Sequence, residues 1–263
     1  MRVSGSSILL TGATGGLGVA IAQALAAREG KLILTARRTE LLQTLAQQLG
    51  ARALTADLAD AAQVDELAAA AGDVDVLVAN AALPAAAPLQ ALTSQEVDRV
   101  LAVNLRAPIA LAHALLPGML ARGRGQLVFI SSTGGKACAP GNPLYHATKF
   151  GVRGLAGALR IDLHGSGVGV SCVLPGFIRD AGLYAESGAK LPLGVGTRSP
   201  REVGDAVVRA IERDLPEVQV SSFALRAGAL LWSLAPDLAS AISRRMGSGE
   251  IARTYERALA AKR

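Results

Sequence analysis

The sequence predicts an α/β fold with a doubly wound parallel sheet, built as a single domain with a helical C-terminal extension. Short apolar runs alternate with helical patterns from the first residues onward. The runs are apolar throughout, which is typical of strands that helices cover on both faces. No proline-rich or serine-rich linker divides the 263 residues, and 51% of them are hydrophobic, so the chain can bury one large core.

The first third of the chain alternates strands and helices at short intervals. The predicted strands are Ser7–Leu10, Lys31–Ala36, Arg52–Thr55 and Val74–Ala79, and the predicted helices are Gly16–Arg28, Glu40–Leu49 and Ala61–Ala71. This order is that of successive βα units, which place their strands side by side in a parallel sheet.

The middle of the chain continues the pattern with longer helices. Gln126–Ser131 and Val168–Leu174 are apolar runs of strand length, and helices are predicted at about Ser94–Ala121 and Pro143–Leu163. Both helices carry faces rich in Ala and Gly that could pack closely against a second subunit.

After Gly176 the pattern loosens, and we expect a mobile substrate flap at about 180–200, with Leu183, Tyr184, Leu191 and Leu193 as its apolar residues. A helix (Pro200–Arg213) and a strand (Val218–Ser221) then complete the main domain, 1–222. The extension, 223–263, is helical in pattern and apolar around Ala227–Leu234, a run too short to span a bilayer. It is interpreted as a cover for the substrate cleft or a subunit contact, with a surface-lying membrane helix as the less favoured reading.

Composition and charge exclude several classes of function. The net charge is +6 and the pI about 9.8, but the arginines are dispersed and aromatic residues are few, so nucleic-acid binding is not expected. Cys138 and Cys172 form no CxxC motif and the three histidines are scattered, so no metal site is expected. The N-terminus does not resemble a signal peptide, and we expect a reducing, cytoplasmic location.

A glycine-rich turn follows the first strand and opens the first helix. Its residues are Thr11-Gly12-Ala13-Thr14-Gly15-Gly16-Leu17-Gly18. Glycine permits the sharp turn and lets a pyrophosphate approach the backbone, and the helix N-terminus supplies free N–H groups. The turn therefore predicts a Rossmann-type dinucleotide site at the start of the chain.

The residues after the second strand predict which dinucleotide binds. An NAD site places Asp or Glu there to bind the ribose 2′-hydroxyl, whereas this chain has Arg37-Arg38. A guanidinium can pair with a 2′-phosphate through two hydrogen bonds, so NADP is favoured over NAD. Arg37 is the preferred candidate, since Arg38 could be solvated.

Tyr145 and Lys149 are candidates for proton transfer. They are four residues apart in a predicted helix, so both side chains can point into one cleft. A nearby ammonium favours the phenolate, which brings the pKa of the phenol closer to neutral pH. Ser132, at the carboxyl end of a strand, can hydrogen-bond a substrate oxygen. His146 lies about 100° around the helix from Tyr145 and is interpreted as a wall residue.

These features together resemble the short-chain dehydrogenase/reductase family, and the resemblance extends from the N-terminus to Gly176. It rests on ordered motifs, namely TGATGGLG at Thr11–Gly18, Asp57-Leu58, Ala79-Asn80-Ala81-Ala82, Asn104, Ser131-Ser132, Tyr145-xxx-Lys149 and Pro175-Gly176. The glycine pattern fits two branches of the family, and the short chain and the Ser-to-Tyr spacing favour the single-domain branch.

The resemblance implies a hydride transfer between a nicotinamide and a carbonyl or alcohol carbon of a small-molecule substrate, and it implies a homodimer or homotetramer that associates through the two long helices. The apolar residues of the flap and of the extension favour an apolar substrate. The catalytic residues that it implies are Asn104, Ser132, Tyr145 and Lys149, with Asn104 holding a water in a proton relay through Lys149. The implied cofactor contacts are Gly12, Thr14, Gly15, Gly16, Leu17, Gly18, Arg37, Asp57, Leu58, Asn80, Tyr145, Lys149, Pro175, Gly176 and Ile178. Among these, Lys149 would also bind the nicotinamide ribose, Asp57 the adenine, and the Ile178 backbone the carboxamide, while Asn80 would lie beside the adenine ribose.

The chain departs from the family pattern at two positions. Ala82 stands where the family often has Gly, and Asp180 stands where a Thr usually orients the carboxamide, so Asp180 is left out of the predicted site. Two alternatives stay open at this point. One is a cofactor-binding regulatory protein without turnover. The other is a membrane-surface enzyme of the same family that acts on lipid alcohols.

Overall fold

A computed structural model describes residues 1–187, 191 and 195–260. Seven parallel strands form one sheet in the order β3-β2-β1-β4-β5-β6-β7. The strands are β1 Ser7–Thr11, β2 Lys31–Ala36, β3 Arg52–Thr55, β4 Val76–Ala79, β5 Gly125–Ile130, β6 Val168–Pro175 and β7 Glu217–Val220. The prediction of a doubly wound parallel sheet in a single domain is confirmed.

Eleven α-helices connect and follow these strands within the described residues. They are α1 Gly16–Ala26, α2 Thr39–Leu49, α3 Ala61–Ala71, α4 Ser94–Leu101, α5 Ala107–Ala121, α6 Pro143–Asp162, α7 Gly182–Ser187, α8 Pro200–Arg213, α9 Phe223–Leu234, α10 Pro236–Arg245 and α11 Ser248–Ala260.

The central strands are mainly apolar because each side of the sheet has its own core. On β1, Ile8 and Leu10 pack with α1, α2 and α8, whereas Leu9 faces the opposite side and packs with α3, α5 and α6. Alternate residues of a strand point to opposite faces, so a strand covered on both sides can hold few polar residues. The strand order reverses between β1 and β4, and ligands of open α/β sheets bind at the carboxyl ends of the strands beside such a reversal.

The long helix that the sequence predicts at Ser94–Ala121 is interrupted. A π-helical turn, Ala102–Arg106, separates α4 from α5. The whole stretch is apolar and long enough to cross a bilayer by length and composition, but α5 buries Leu111, Leu115 and Met119 in the core of this domain. We therefore interpret α5 as a core helix.

The chain after β6 contributes to a cleft at the carboxyl ends of the strands. Ile178 pairs with Arg198 in a single bridge, so the predicted flap leaves and rejoins the body at one point. Leu193 lies outside the described residues, as do 188–190, 192 and 194. The extension forms α9, α10 and α11, and the Trp232 ring of α9 packs against Phe150 of α6 at 5.7 Å. The predicted helical character of the extension is confirmed.

Candidate active site

The glycine-rich turn has the shape that a phosphate cradle requires. Gly12 has a φ of +65°, and a Cβ on Gly18 would collide with the carbonyl oxygen of Gly12, so both positions need glycine. The Gly15 N–H closes the turn on Gly12 O at 3.1 Å. The helix α1 starts at Gly16 with no acidic residue in its first turn, so its free N–H groups can receive an anion. The turn fits a dinucleotide pyrophosphate.

Asn80 holds this turn in place. Its backbone N–H and that of Ala81 both donate to Thr11 Oγ1 at 3.0 Å, and its side-chain amide donates to the carbonyl oxygen of Thr11 at 3.0 Å. The end of β4 is thereby fastened to the end of β1. The contact with the adenine ribose stays a prediction, and the structure adds a second role that the sequence did not indicate.

Two arginines follow β2 beside the turn. Arg38 donates from Nη2 to the Thr14 carbonyl oxygen at 2.9 Å, so it lies against the glycine-rich turn and is more than a solvated side chain. Arg37 is exposed and close enough to Asp57 for its charge to lower the pKa of that carboxyl. We therefore count Arg38 with Arg37 as a candidate for the 2′-phosphate. Arg38 is the weaker candidate from the sequence alone, because nothing in the sequence shows that its side chain contacts the glycine-rich turn.

Asp57 and Leu58 follow β3 at the predicted adenine end. Burial alone would raise the pKa of Asp57, but hydrogen bonds from the Ala59 N–H and from Arg99, with the charges of Arg99 and Arg37, hold it below its ordinary value. Arg99 Nη2 lies 2.8 Å from Asp57 Oδ2. Asp57 is therefore ionised at neutral pH, and Leu58 is buried beneath it.

Ser132, Tyr145 and Lys149 converge at the carboxyl end of the sheet. Ser132 follows β5 and accepts a hydrogen bond from the Gly134 N–H at 3.0 Å, which fixes its side chain at the start of a 3₁₀ turn. The Ser132 hydroxyl also hydrogen-bonds the Tyr145 phenol. Next to it, Ser131 donates to the Lys149 carbonyl oxygen at 2.8 Å and so ties β5 to α6. The helix carries Tyr145 and Lys149 one turn apart, as the sequence predicts.

Lys149 carries a buried ammonium. The residue is 4% exposed, and its Nζ donates to the Ile130 carbonyl oxygen at 2.9 Å and lies 5.7 Å from the centre of the Tyr145 ring. Burial lowers the pKa of Lys149 from 10.5 to about 8 because the charged form loses its hydration. The ammonium is still mostly protonated at neutral pH. Its pKa is close enough to neutral pH for the group to take part in proton transfer.

Tyr145 differs from the sequence-based expectation. We expected the neighbouring ammonium to bring its pKa down, but burial raises the pKa of the phenol above 10, and the hydrogen bond with Ser132 offsets only part of this. The expectation fails because removing the phenolate from water costs more than the nearby groups return. In this structure Tyr145 is a neutral phenol at neutral pH, which is the form that donates a proton.

Asn104 lies in the π-helical turn and is buried. Its Oδ1 accepts from the Leu83 N–H at 2.7 Å, and its Nδ2 donates to the Leu83 carbonyl oxygen at 2.9 Å and to Thr148 Oγ1 at 3.4 Å. Its side chain therefore joins the loop after β4 to α6, between Tyr145 and Lys149. The proposed relay water stays a prediction, whereas the side chain's role in holding these segments together is visible.

The residues after β6 form the floor of a cavity of about 500 Å³. Gly176 lines it, and its N–H donates to the Val220 carbonyl oxygen at 2.9 Å. Ile178 is buried. Arg198 hydrogen-bonds with the N–H of Arg179 and the carbonyl oxygen of Phe177, so the N–H and the carbonyl oxygen of Ile178 point away from Arg198. Pro175 ends β6, and its carbonyl oxygen accepts from Ser132 at 3.4 Å.

The cavity wall is largely apolar. Phe177, Tyr184, Leu225 and Trp232 line it with Tyr145, and Lys149 is the one charged side chain among the lining residues that the structure describes. A larger and more open groove of about 1140 Å³ lies at the opposite ends of the strands. Four of its charged side chains form the pairs Arg160–Asp214 and Arg124–Asp75, so the smaller cavity is the better candidate for chemistry.

His146 is more than a wall residue. Its Nδ1 lies 2.8 Å from the Gly134 carbonyl oxygen and its Nε2 accepts from the Ala139 N–H at 3.0 Å, so the ring is neutral with the proton on Nδ1. These two hydrogen bonds attach the loop from Gly134 to Ala139 to α6, and this loop forms part of the cavity wall. No signal in the sequence distinguishes this histidine from an ordinary buried one.

Comparison with known proteins agrees with this geometry. The sequence profile described as short chain dehydrogenase matches residues 6–191. The ketoacyl reductase HetN of Nostoc sp. is 33% identical over 228 residues, which are 83% of this chain and 79% of that protein.

Two solved structures are similar over most of the chain. A short-chain dehydrogenase from Sphingobium yanoikuyae in complex with NADPH has a TM-score of 0.75 and 29% identity, covering 88% of this chain and 95% of that one. The bulky-bulky ketone specific alcohol dehydrogenase from Comamonas testosteroni has a TM-score of 0.75 and 25% identity, covering 89% and 93%. With the glycine-rich turn, the Ser–Tyr–Lys arrangement and these matches in agreement, the chain belongs to the short-chain dehydrogenase/reductase family of oxidoreductases, which act on CH–OH groups.

Proposed function

We propose that this enzyme uses NADP to interconvert a neutral, largely apolar ketone or aldehyde and its alcohol, with Tyr145 as the proton donor and acceptor. The observation that carries the proposal is the convergence of Ser132, Tyr145 and the buried Lys149 on an apolar cavity at the carboxyl end of the sheet. Asn104 completes the proposed catalytic set.

The cofactor part of the proposal rests on the donor groups at the other end of the cleft. The N-terminus of α1 can receive the pyrophosphate, and Arg37 and Arg38 can pair with a 2′-phosphate where an NAD site would have an acid. Asp57 and Asn80 are proposed for the adenosine end, and the Ile178 backbone for the carboxamide. When bound, the nicotinamide supplies or accepts the hydride.

The residues of the chain have separate proposed tasks. Ser132 hydrogen-bonds the substrate oxygen and aligns it with the phenol of Tyr145, which passes its proton to that oxygen during reduction. The ammonium of Lys149 stabilises the phenolate that remains and, with Asn104, returns a proton to it. In the alcohol-to-ketone direction the same groups move the proton the opposite way.

The substrate class follows from the wall of the cavity. A carboxylate or phosphate on the substrate would enter an apolar space in which Lys149 is the one charge among the described lining residues. A buried charge without a partner is strongly disfavoured. A neutral carbonyl compound with apolar groups on both sides fits this wall better, which supports a preference for bulky ketones.

The test is the purified protein with NADPH and a panel of ketones and aldehydes, read as loss of NADPH absorbance. We expect turnover with neutral apolar carbonyls, a larger kcat/KM with NADPH than with NADH, and a loss of about a thousandfold or more in Tyr145→Phe. Tyr184→Phe is the matched control, since it removes another phenol from the same cavity and should keep most of the activity. Undiminished turnover in Tyr145→Phe would rule out its assigned role, and cofactor binding without turnover on any carbonyl would favour the non-catalytic alternative.

Two further proposals concern the assembly and the location of the enzyme. We propose a homodimer or homotetramer that uses the α4–α5 and α6 faces, to be measured by light scattering. We also propose a cytoplasmic location, to be checked by cell fractionation.

A further inference from the structure

Helix α9 is apolar on two opposite sides. Its inner side, with Leu225, Ala229 and Trp232, lines the cavity. Successive residues of an α-helix are 100° apart, so Phe223, Leu230 and Leu234 fall within a narrow arc on the other side. These three side chains are exposed by 84%, 62% and 76%. A helix that is apolar all round is ordinarily buried all round, so the outer side lacks a cover.

Helix α10 packs against α9 and carries a second set of exposed apolar side chains. Leu238, Ile242 and Met246 recur at intervals of four residues and are also exposed. We call Phe223, Leu230, Leu234, Leu238, Ile242 and Met246 the outer stripe. Exposed apolar side chains grouped on neighbouring helices mark an interaction site more often than isolated ones do.

The outer stripe reaches the rim of the cavity. Ile242 and Met246 are exposed and at the same time line the cavity that holds Tyr145. The same is true of Gly228 on α9. An apolar molecule at the outer stripe can therefore move into the cavity along apolar residues, without crossing a charged surface.

Positive charge surrounds the outer stripe. Arg226 lies next to it on α9, and Arg244 and Arg245 lie at the end of α10, all three exposed. Asp237, at the start of α10, is the acidic residue nearest to the stripe in the described part of these two helices. The segment 223–263 holds seven basic and three acidic residues and contributes +4 of the net charge of +6.

We propose that the outer stripe docks on an anionic lipid bilayer, with the apolar side chains in the headgroup boundary and the arginines against lipid phosphates. An apolar helical face with flanking arginines is the arrangement by which amphipathic helices bind such surfaces. A second copy of this chain fits less well, because a symmetric contact would bring two segments of charge +4 against each other. The proposal goes beyond the catalytic function and does not depend on it.

The test is co-sedimentation of the full-length protein, without cofactor or substrate, with vesicles. Mixed phosphatidylcholine and phosphatidylglycerol vesicles should bind it, with binding that weakens as salt increases, and phosphatidylcholine alone should bind it much less. Leu230→Gln with Leu234→Gln should weaken binding by about tenfold or more, since these side chains lie outside the cavity and supply apolar contact. Arg244→Gln with Arg245→Gln should weaken binding to the anionic vesicles by a similar factor.

The control is Ile161→Gln, which removes another apolar side chain, 78% exposed, at the opposite edge of the sheet. It should bind vesicles like the unaltered protein, and thermal unfolding by circular dichroism should show that every variant is folded. Failure of the unaltered protein to bind the anionic vesicles would overturn the proposal. So would a light-scattering result in which the two leucine changes dissociate an oligomer, because a second copy would then be the cover. Neither result would affect the NADPH assay, so the two proposals fail separately.

Discussion

At the scale of single residues, the site depends on holding an ammonium where water cannot solvate it. Lys149 is the residue most affected, with a pKa lowered from 10.5 to about 8 by burial. The cost is present whenever the folded protein carries the charge, and it disappears when the lysine is neutral in both states. The same burial makes the group able to exchange a proton near neutral pH. Burial of Lys149 therefore lowers the stability of the folded protein and at the same time supports proton transfer.

This opposition predicts a pH dependence of stability. Between pH 8 and 10.5 the unfolded chain binds more protons at Lys149 than the folded one, so the free energy of unfolding should rise with pH by up to about 1.4 kcal/mol per pH unit from this group. Denaturant titrations of the unaltered protein and of Lys149→Met at several pH values should diverge in this direction above pH 8. A constant difference between the two curves would mean that the ammonium is not desolvated.

His146 gives a second prediction at the residue scale. His146→Phe should remove the bonds to Gly134 and Ala139, lower the free energy of unfolding by about 1–3 kcal/mol, and raise KM for the carbonyl substrate because the cavity loop loosens. Burial lowers the pKa of His146 below 6.5. The histidine's contribution is therefore complete above pH 6.5 and is lost as the pH falls, because the unfolded chain takes up the proton first.

The measurement is chemical denaturation between pH 5 and 7.5, with steady-state kinetics at neutral pH. His164→Gln, on an exposed histidine, is the control and should change neither quantity. If His146→Phe kept the acid sensitivity of the unaltered protein, another group would have to be responsible.

The residues of the site could be predicted to different degrees. Tyr145, Lys149 and Ser132 follow from helix spacing and from the strand end that precedes Ser132, both of which are local properties of the sequence. The contact of Arg38 with Thr14 and the two bonds of His146 join segments that the fold alone brings together. The direction of the Tyr145 pKa could not be predicted because it depends on burial, which outweighs the hydrogen bond with Ser132.

At the scale of elements, most strands and helices were predictable, but the π-helical turn and the short helix α7 were not. Strands covered on both faces must be apolar throughout, so their runs are visible in the sequence to within one or two residues. The π-helical turn at Ala102–Arg106 leaves no comparable signal, because one additional residue per turn shifts the apolar pattern only slightly. That turn allows Asn104 to bond Leu83 and Thr148 together.

Asn104 therefore gives a prediction about how elements are joined. Asn104→Ala should lower the free energy of unfolding by about 1–3 kcal/mol, since it leaves the partly buried N–H and carbonyl groups of Leu83 without their side-chain partner. It should also lower kcat, because the loop after β4 and α6 lose a common attachment. Denaturant unfolding and steady-state kinetics measure the two effects.

Asn142 supplies the matched control. Its Oδ1 is buried without a hydrogen-bond partner, so Asn142→Ala removes an unsatisfied atom and should cost much less. Equal losses of stability in the two alanine variants would show that the bonds of Asn104 are not what joins these elements.

At the scale of the whole molecule, the fold divides the work between a sheet and a cover. The parallel sheet places the glycine-rich turn, Ser132 and Gly176 at the carboxyl ends of its strands, beside the reversal of strand order. The cofactor and the reacting carbon can meet there. The helices after β7 close this edge from above and supply much of the apolar wall. Substrate selection is therefore assigned to the segment that the sequence pattern describes least well.

The chain's single tryptophan makes this division measurable. Trp232 lies on the inner side of α9, lines the cavity and packs on Phe150, so a substrate that enters should change its fluorescence whether or not NADPH is present. We expect saturable changes with a neutral apolar ketone and at least about tenfold weaker binding of a carboxylate of matched size, because the described wall offers the anion no partner besides Lys149. Trp232→Phe should abolish the signal and retain turnover. Equal binding of the two ligands would mean that the cavity accepts charge, and the substrate class proposed for this enzyme would have to include acids.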